Sequence, residues 1–559
     1  MPSQLLNPNE YELTGPSSSD SDEDFNLDEA DPTSAHASLL GSSPANNRSW
    51  VWLPVRLWSF LPSLKRRSKR QPRSRQKSRP VSTRTCVRRR GVRHICFLVA
   101  GAIGVVLALV ILTSVLKPSY TSPPAHYEAL RHRASRKGNA NPNDEKVFIA
   151  ANIIDEDLIR GAWGKAVLEL VDLLGERNVF LSVYENDSGP GTKAALEEFK
   201  EKVTCNSSIV SEHLPLEDID SITLPNGEKR IKRVAYLAEV RNRALWPLDP
   251  KRASDQDASG TTFGKLLFLN DIVFSPLDAA QLLFSTNLDA DGFTRYRAAC
   301  AVDFINPFKF YDTFATRDLE GFSMGVPFFP WFSRAGSFDS RQDVLAGKDA
   351  VRVRSCWGGM VAFEAKWFQH ANPEEGLPKP AEPAEADTDR NLNWHLNDPS
   401  IVPRAETGPV RFRSEKDTYW DASECCLIHA DIQPVRPHSD PTSETGIYVN
   451  PFIRVAYDER TFGWLGITRR WERLYSIPHH IVNLLAGLPF DNTRRKYEEG
   501  DEVLESVWKQ DGEDRKGSYD NVQRTAGRGE FCGTRKLLVL RENPKEGEKK
   551  WESLPVPRG

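Results

Sequence analysis

An amide and a carboxylate, Asn270 and Asp271, directly follow the apolar run Lys265–Leu269. A carboxylate at the end of a buried strand could bind a hard divalent cation that bridges the phosphates of a nucleotide. We therefore assign Asp271 to a metal site and to catalysis, and Asn270 to the nucleotide beside it. The alternative is an aspartate that only starts the turn before Ser275.

A second polar loop follows a second apolar run. Glu185 and Asn186 come directly after Val179–Tyr184. The carboxylate of Glu185 could accept hydrogen bonds from a nucleobase or a ribose, and Asn186 belongs to the same candidate loop. Polar loops follow most strands, so an ordinary turn remains the alternative.

Arg241 and Asn242 lie on a predicted helix around Val234–Leu245. A guanidinium group binds phosphate or carboxylate through several donors at once. We assign both residues to the nucleotide, and the alternative is a solvated helix face.

Two later segments add a glycine turn and another acid. Trp357, Gly358 and Gly359 precede an apolar run, and glycine lets a ligand approach the backbone closely; a tight turn into a strand is the alternative. Glu424 and His429 flank a short apolar stretch. Glu424 is a candidate general base, and His429 is a candidate metal ligand or phosphate contact. A disulfide-stapled strand with incidental polar flanks explains the same two residues.

The elements that must position these side chains alternate in type. Apolar runs predict strands at 146–152, 179–184 and 265–269, and segments of helical spacing lie between them. This alternation predicts an α/β fold with a mostly parallel sheet covered by helices on both faces. Such sheets bind ligands beyond the carboxyl ends of their strands, which is where Glu185 and Asp271 stand.

A membrane anchor precedes this domain. Fourteen Lys and Arg residues lie between Lys65 and Arg93, and the 22-residue uncharged run Ile95–Leu116 follows. About 20 apolar residues cross a hydrocarbon core, and the basic flank stays cytoplasmic. We predict a single-pass type II protein whose larger part is lumenal. The basic block favours lipid head groups over nucleic acid because it adjoins the span; a signal peptide and a buried helix are the alternatives to a span.

Shifts in composition divide the chain into six segments. They are a disordered acidic cytosolic tail (1–64), a basic juxtamembrane segment (65–94), a transmembrane anchor (95–116), a stem (117–144), a lumenal domain (145–460) with an insertion at 373–389, and a C-terminal extension (461–559) that is partly disordered. The tail holds too little apolar surface to order itself.

Six cysteines lie beyond the predicted anchor, at Cys205, Cys300, Cys356, Cys425, Cys426 and Cys532. An even number in an oxidising compartment permits three disulfides, whose pairing the sequence leaves open. Asn206-Ser207-Ser208 is an acceptor for N-glycosylation if its loop is exposed.

Several enzyme classes lack their motifs. No P-loop, GxSxG or HExxH motif stands at a strand-to-helix junction. The turn Gly189-Pro190-Gly191 is the nearest match to a dinucleotide fingerprint, and an ordinary turn explains it better.

Six segments together resemble one family. They are FLNDIVF (268–274), YENDS (184–188), AEVRN (238–242), CWGG (356–359), SECC (423–426) and AVDFINPFKFYDTFATRD (301–318). This set is similar to the fungal capsule-associated, or cryptococcal, α-1,3-mannosyltransferases of glycosyltransferase family 69. The resemblance covers about residues 145 to 460.

The resemblance implies a type II membrane enzyme of the Golgi or another secretory membrane, with a GT-A-like nucleotide-sugar fold. It implies retaining transfer of mannose from GDP-mannose to a glycan or polysaccharide, with Mn²⁺ or Mg²⁺. It places Glu185, Arg241 and Asn242 on the nucleotide and Asp271 on the metal. It places Gly358 and Gly359 on the acceptor side, together with Trp357, which directly precedes them. It places Glu424 near the acceptor hydroxyl.

Two positions depart from the pattern. The usual GT-A metal motif has two acids one residue apart, and Leu269 stands where the first would be, which leaves metal dependence open. Pro190 stands where a polar residue is expected. Two alternatives follow: a non-catalytic protein of polysaccharide assembly or export, and a transferase that uses a UDP-sugar.

Overall fold

The computed structural model describes residues 84–224, 226–250, 260–323, 334–369, 409–436, 444–485, 492–511, 516–541 and 550–557. The predicted tail, most of the basic juxtamembrane segment and the predicted insertion at 373–389 lie outside these residues. The chain divides between Leu112 and Thr113, so the first helix and the domain are described separately.

The first helix, α1 (Arg84–Leu116), contains the candidate membrane span Cys96–Leu116. It is the one helix among the described residues that is long and apolar enough to cross a bilayer. This finding is compatible with a single-pass membrane protein.

The domain is built on one large mixed sheet. The strands of the chain are β1 (Val147–Asn152), β2 (Val179–Asn186), β3 (Asn206–Glu212), β4 (Ser221–Thr223), β5 (Lys229–Ile231), β6 (Lys265–Leu269), β7 (Ala298–Asn306), β8 (Lys309–Phe310), β9 (Val351–Val353), β10 (Met360–Glu364), β11 (Asp421–Ala422), β12 (Ile447–Ala456), β13 (Glu502–Asp511), β14 (Lys516–Thr525), β15 (Gly533–Thr534), β16 (Leu538–Leu540) and β17 (Trp551–Ser553). The large sheet has the order β3-β2-β1-β6-β10-β7-β12-β9, and β8 pairs with β7.

The remaining helices surround this sheet. They are α2 (Ala125–Arg133), α3 (Glu156–Arg160), α4 (Ala162–Leu174), α5 (Pro190–Lys200), α6 (Arg233–Ala244), α7 (Pro276–Ser285), α8 (Phe338–Ala346), α9 (Glu424–Ile432), α10 (Glu459–Thr468) and α11 (Glu472–Leu485).

Strands β3, β2, β1 and β6 form a parallel half of the sheet. Strand β10 runs antiparallel to both its neighbours, β7 and β12 are parallel, and β9 is antiparallel to β12. Every residue of β6 is buried, and so are all but the last of β1. Strands buried on both sides require cover on both faces of the sheet. The predicted α/β class with a mostly parallel sheet is therefore confirmed.

Local details differ from the sequence predictions at two places. The segment of helical spacing between the predicted strands at 146–152 and 179–184 is interrupted at Gly161, where a β-carbon would lie 2.6 Å from the carbonyl oxygen of Asp157 and only glycine fits. The segment after Ser423, for which a strand was one alternative, is the helix α9.

Two disulfides join distant parts of the chain. Cys300 pairs with Cys356 and Cys426 with Cys532, while Cys205 and Cys425 are unpaired thiols among the described residues. The sequence permitted three bridges, and the structure has two.

The described part of the C-terminal extension, for which the sequence predicted partial disorder, contains regular structure. Strands β13 and β14 form a hairpin, and β15 pairs with β11 directly before α9. Glu505 of the hairpin forms ion pairs with Arg494 and Arg524. The Cys426–Cys532 bridge then ties the extension to α9.

Removal of this bridge is expected to destabilise the fold. The Cys426→Ala/Cys532→Ala variant releases a closed loop with a sequence separation of 106 residues. Loss of a native disulfide lowers the free energy of unfolding by about 2–5 kcal/mol. Thermal unfolding of the solubilised protein should show a clearly lower midpoint. Cys205→Ser, which changes an unpaired thiol, is the control, and an equal effect of both variants would contradict the prediction.

Candidate active site

The carboxyl ends of three parallel strands meet at one edge of the sheet. Strand β1 lies between β2 and β6 and is parallel to both. The strand β2 ends at Asn186 and β6 ends at Leu269. Neighbouring strands lie ~4.8 Å apart, so these two tips are roughly 10 Å from each other. Glu185 and Asp271 therefore share an edge, as the sequence predicted.

Helix α6 brings Arg241 to this edge. Its Nε donates to Oε1 of Glu424 at 3.2 Å, and its Nη1 donates to Oδ1 of Asn270 at 3.2 Å. The Arg241 side chain is 11% exposed and that of Glu424 is 5% exposed. A solvated helix face, the alternative left open for Arg241, is therefore wrong.

Aromatic rings enclose the guanidinium group of Arg241. Its central carbon lies 4.5 Å from the ring centroid of Trp357, 5.6 Å from that of Phe268 and 5.9 Å from that of Phe412. The side-chain amide of Asn242 donates to and accepts from the backbone of Phe412, at 2.8 Å each. These bonds make Asn242 the residue that holds Phe412 beside Arg241, while the predicted contact of Asn242 with a nucleotide remains a prediction.

Charges around Arg241 offset the cost of its burial. Burial by itself lowers the pKa of Arg241, but the acidic groups around it, among them Glu424 and Asp271, outweigh this effect and raise it. Asp271 directly follows Asn270, whose side chain binds the guanidinium group. The structure therefore brings Arg241, Asn270, Asp271 and Glu424 together.

The glycine turn closes against the tip of β6. Gly358 and Gly359 both have positive φ angles, of 59° and 66°. A β-carbon on Gly358 would lie 2.0 Å from the carbonyl oxygen of Ala301, so no larger residue fits. Gly359 accepts a hydrogen bond from the backbone of Asn270 at 3.0 Å. The turn thus positions Trp357 and Asn270 on either side of Arg241.

Glu185 and Asn186 are buried in a network of their own. Glu185 accepts from the backbone of Ser188 at 2.6 Å and from the hydroxyl of Ser211. The amide of Asn186 donates to the hydroxyl of Tyr236 at 2.8 Å. These bonds hold the loop after β2 in place, and the predicted contacts with a nucleobase stay predictions.

His429 lies in the core. It is fully buried, its Nδ1 donates to the carbonyl oxygen of Cys425 at 2.7 Å, and its Nε2 lies 3.8 Å from Sγ of Cys300. Burial lowers the pKa of His429 to about 4. His429, Cys300 and Cys356 are close enough to suggest a metal site, but the two cysteines form a disulfide and offer no thiolate. The metal-ligand role predicted for His429 has no support in these contacts.

A family comparison identifies the class of protein. The model of the cryptococcal mannosyltransferase 1 family matches residues 146–431, which is more than half of the 559 residues. The chain belongs to this family. It is therefore a glycosyltransferase, and the family resemblance predicted from its motifs is confirmed. All predicted site residues lie inside the matched segment, whereas the C-terminal extension lies outside it.

Comparisons with individual proteins say less about this mannosyltransferase. No curated protein matches it. The mannosyltransferase PcManGT from Pyrobaculum calidifontis, solved in complex with GDP-Man and Mn²⁺, is 10% identical with a TM-score of 0.29, over 69% of this chain and 86% of that chain. A mycobacterial protein is 13% identical with a TM-score of 0.26, over 73% of this chain and 92% of that chain. Neither likeness is close enough to support an argument about the site.

The mannosyltransferase also has a buried acid pair to which sequence reasoning gave no role. Asp303, in β7, accepts from the hydroxyl of Tyr457 at 2.8 Å and from the backbone of Asp312 at 3.2 Å. Asp312 accepts from the backbone of Gly358 at 3.4 Å. The pair therefore holds the glycine turn in place through the bond between Gly358 and Asp312. In the sequence, the one signal for this acid pair was its position in the segment 301–318. That segment belongs to the family resemblance, which assigned no role to its residues.

Burial, together with the negative charge of Asp312, raises the pKa of Asp303 from 3.8 to about 7. The folded mannosyltransferase then holds a proton that the unfolded chain releases, so stability falls as pH rises from about 4 to about 7. The slope from one group is at most about 1.4 kcal/mol per pH unit. Asp303→Asn removes this contribution. The difference in the free energy of unfolding between pH 5 and pH 8, measured by denaturant unfolding, should therefore be smaller than in the wild type. An unchanged difference would contradict the assignment.

Proposed function

We propose that this glycosyltransferase is a retaining α-1,3-mannosyltransferase that moves mannose from GDP-mannose to a glycan or polysaccharide. Family membership supports mannosyl transfer. The observation that carries the finer proposal is the buried Arg241, which lies beside Asn270, Asp271 and Glu424 at the ligand-binding edge of the sheet. In this proposal the enzyme is a type II protein of the Golgi or another secretory membrane, with its domain lumenal.

Arg241 is the group that receives the diphosphate of the donor. Two of its N–H groups already bind Glu424 and Asn270, and a guanidinium group has five. The aromatic rings around it exclude water, which strengthens its attraction for a developing negative charge. Stabilising the leaving diphosphate in this way lowers the barrier to breaking the bond between sugar and phosphate.

A divalent cation fits the donor set at the tip of β6 when the nucleotide supplies the remaining ligands. Asp271 is the carboxylate that follows the tip of β6, and Leu269 stands where the first acid of the usual motif would be. Mg²⁺ is commonly held by one or two carboxylates together with substrate phosphates and water. Bound there, Mn²⁺ or Mg²⁺ would neutralise charge on the diphosphate. Asp271 would hold it.

Glu424 and Trp357 define the acceptor side. The Glu424 carboxylate stands at the first turn of α9, where it can accept a proton from the acceptor hydroxyl. The indole N–H of Trp357 is buried and has no hydrogen-bond partner within the described part of the chain. A buried donor of this kind is normally satisfied, and a sugar or phosphate oxygen would satisfy it.

The proposal is tested by assaying the full chain, in liposomes, with a panel of nucleotide sugars with and without Mn²⁺ or Mg²⁺. Transfer or hydrolysis selective for GDP-mannose supports it. Selective use of a UDP-sugar would show that the donor is not GDP-mannose. Absence of both turnover and GDP-mannose binding would favour the non-catalytic role in polysaccharide assembly or export that the Leu269 substitution suggests.

Asp271→Asn is expected to reduce kcat/KM by roughly 100-fold or more, because it removes a charge that acts in the transition state. The affinity for Mn²⁺ in the presence of GDP should fall as well, which titration calorimetry can measure. Asp291→Asn, a change at an exposed acid, is the control. Wild-type turnover by Asp271→Asn would remove this residue from the site.

Glu424→Gln is expected to separate binding from turnover. The amide keeps a hydrogen bond to Arg241 but cannot accept the proton of the acceptor, so kcat should fall by about 10²- to 10⁴-fold. The affinity for GDP-mannose should be retained or increased, because Arg241 loses a competing negative charge. A large loss of donor affinity in a folded variant would argue instead that Glu424 positions Arg241.

A further inference from the structure

Helices α10 and α11 expose several large apolar side chains, together called the apolar face here. Its members are Trp464, Ile467, Ile477, Ile481, Val482, Leu484 and Leu485. Leu484 is 71% exposed and Leu485 is 83% exposed. Soluble surfaces rarely expose apolar groups together in this way, and such patches mark interaction sites.

The pattern along α11 is that of an amphipathic helix. Ile477, Ile481, Leu484 and Leu485 recur at spacings that place them on one side of a helix. No Asp or Glu occurs from Arg473 to Leu485, a stretch that also contains His479 and His480. Apolar groups on one side of a helix, with no acidic neighbours, suit the boundary between head groups and acyl chains of a bilayer.

The stem brings this helix close to the end of the membrane span. The hydroxyl of Ser119 donates to Oε2 of Glu472, the first residue of α11, at 2.8 Å. Arg469 donates to the carbonyl oxygen of Tyr120 at 3.1 Å. Ser119 follows the span's last residue, Leu116, by three positions. Three residues cover at most about 11 Å even when fully extended.

The start of α11 is also fixed to the large sheet. Glu472 is completely buried and forms an ion pair with Arg454 of β12, which is itself 1% exposed. The side chain of Tyr120 is buried against Phe452 of the same strand, with ring centroids 5.0 Å apart. The beginning of the stem is therefore held by the sheet and cannot move away as a flexible tether.

We propose that the apolar face lies in the lumenal leaflet of the membrane that the span crosses, so that the domain is held at two places. The proposal goes beyond the transferase activity and rests on the span crossing the bilayer. A lipid surface is favoured over a second copy of the chain, because Ser119, which binds the first residue of α11, is at most about 11 Å along the chain from the span's end. Side chains of an interfacial helix insert about 5–10 Å below the head groups. Trp464 is suited to that depth, because tryptophan is enriched at membrane interfaces.

Carbene labelling from within the bilayer tests this proposal on the full chain. The protein is reconstituted in vesicles of phosphatidylcholine and phosphatidylserine with an apolar photoactivatable reagent, and labelled peptides are quantified by mass spectrometry. Peptides from 474–485 are expected to be labelled at least fivefold more than the peptide that contains Leu504. Leu504 is the internal comparison, because it is 67% exposed and lies on the β13 hairpin.

The matched variants are Ile481→Glu/Leu485→Glu and Leu504→Glu. The first should lower labelling of 474–485 at least fivefold and leave labelling of the span unchanged, whereas the second should change neither. All three positions are exposed, so none of these changes disturbs the core. Labelling of 474–485 no greater than that of the Leu504 peptide, with a labelled span, would overturn the proposal, as would a cross-link from Ile481 to a second copy in place of lipid. An unlabelled span would refute the anchor, and the proposal with it.

Discussion

The buried ion pair between Arg241 and Glu424 is the interaction on which the arrangement of the site depends. Removing two charges from water costs several kcal/mol for each ion, and their attraction offsets this cost only when geometry and additional hydrogen bonds are good. Arg241 obtains one such bond from Asn270. An arginine in this position therefore requires α6, α9 and the tip of β6 to meet at one point.

Much of the surrounding structure can be understood as support for that meeting. The glycine turn holds Trp357 over the guanidinium group, and Asn242 holds Phe412 on another side of it. The Cys426–Cys532 bridge joins α9 to a segment more than a hundred residues further along the chain. The C-terminal extension, which the family model does not cover, thus stabilises the helix that carries Glu424. The buried ion pair is therefore kept in place in part by segments that are far from it in the chain.

A second buried ion pair, Arg454 with Glu472, connects β12 to the start of α11. Glu472 also accepts from Ser119, and the stem is therefore joined to the same strand that supports α11. The start of the stem and the start of α11 are thus both fixed to β12, a strand of the sheet on which the candidate site is built.

Sequence alone was sufficient to predict the long apolar helix, the parallel strands and the family. These features rest on local patterns: a long uncharged run, short apolar runs that alternate with helical spacing, and motifs in a characteristic order. The positions of Glu185 and Asp271 on one edge followed from the parallel sheet, because strand direction decides which ends lie together.

Only the tertiary structure decided which polar residues meet. Arg241 and Glu424 are 183 positions apart, and no local pattern distinguishes a buried arginine from one on a solvated helix face. For the same reason, the sequence suggested His429 as a ligand, whereas the structure places it in the core. The sequence likewise gave no role to Asp303, whose burial depends on the fold. Burial and partner choice depend on contacts between segments that are far apart in the chain, and those contacts determine whether a charge is solvated, paired or left for a ligand.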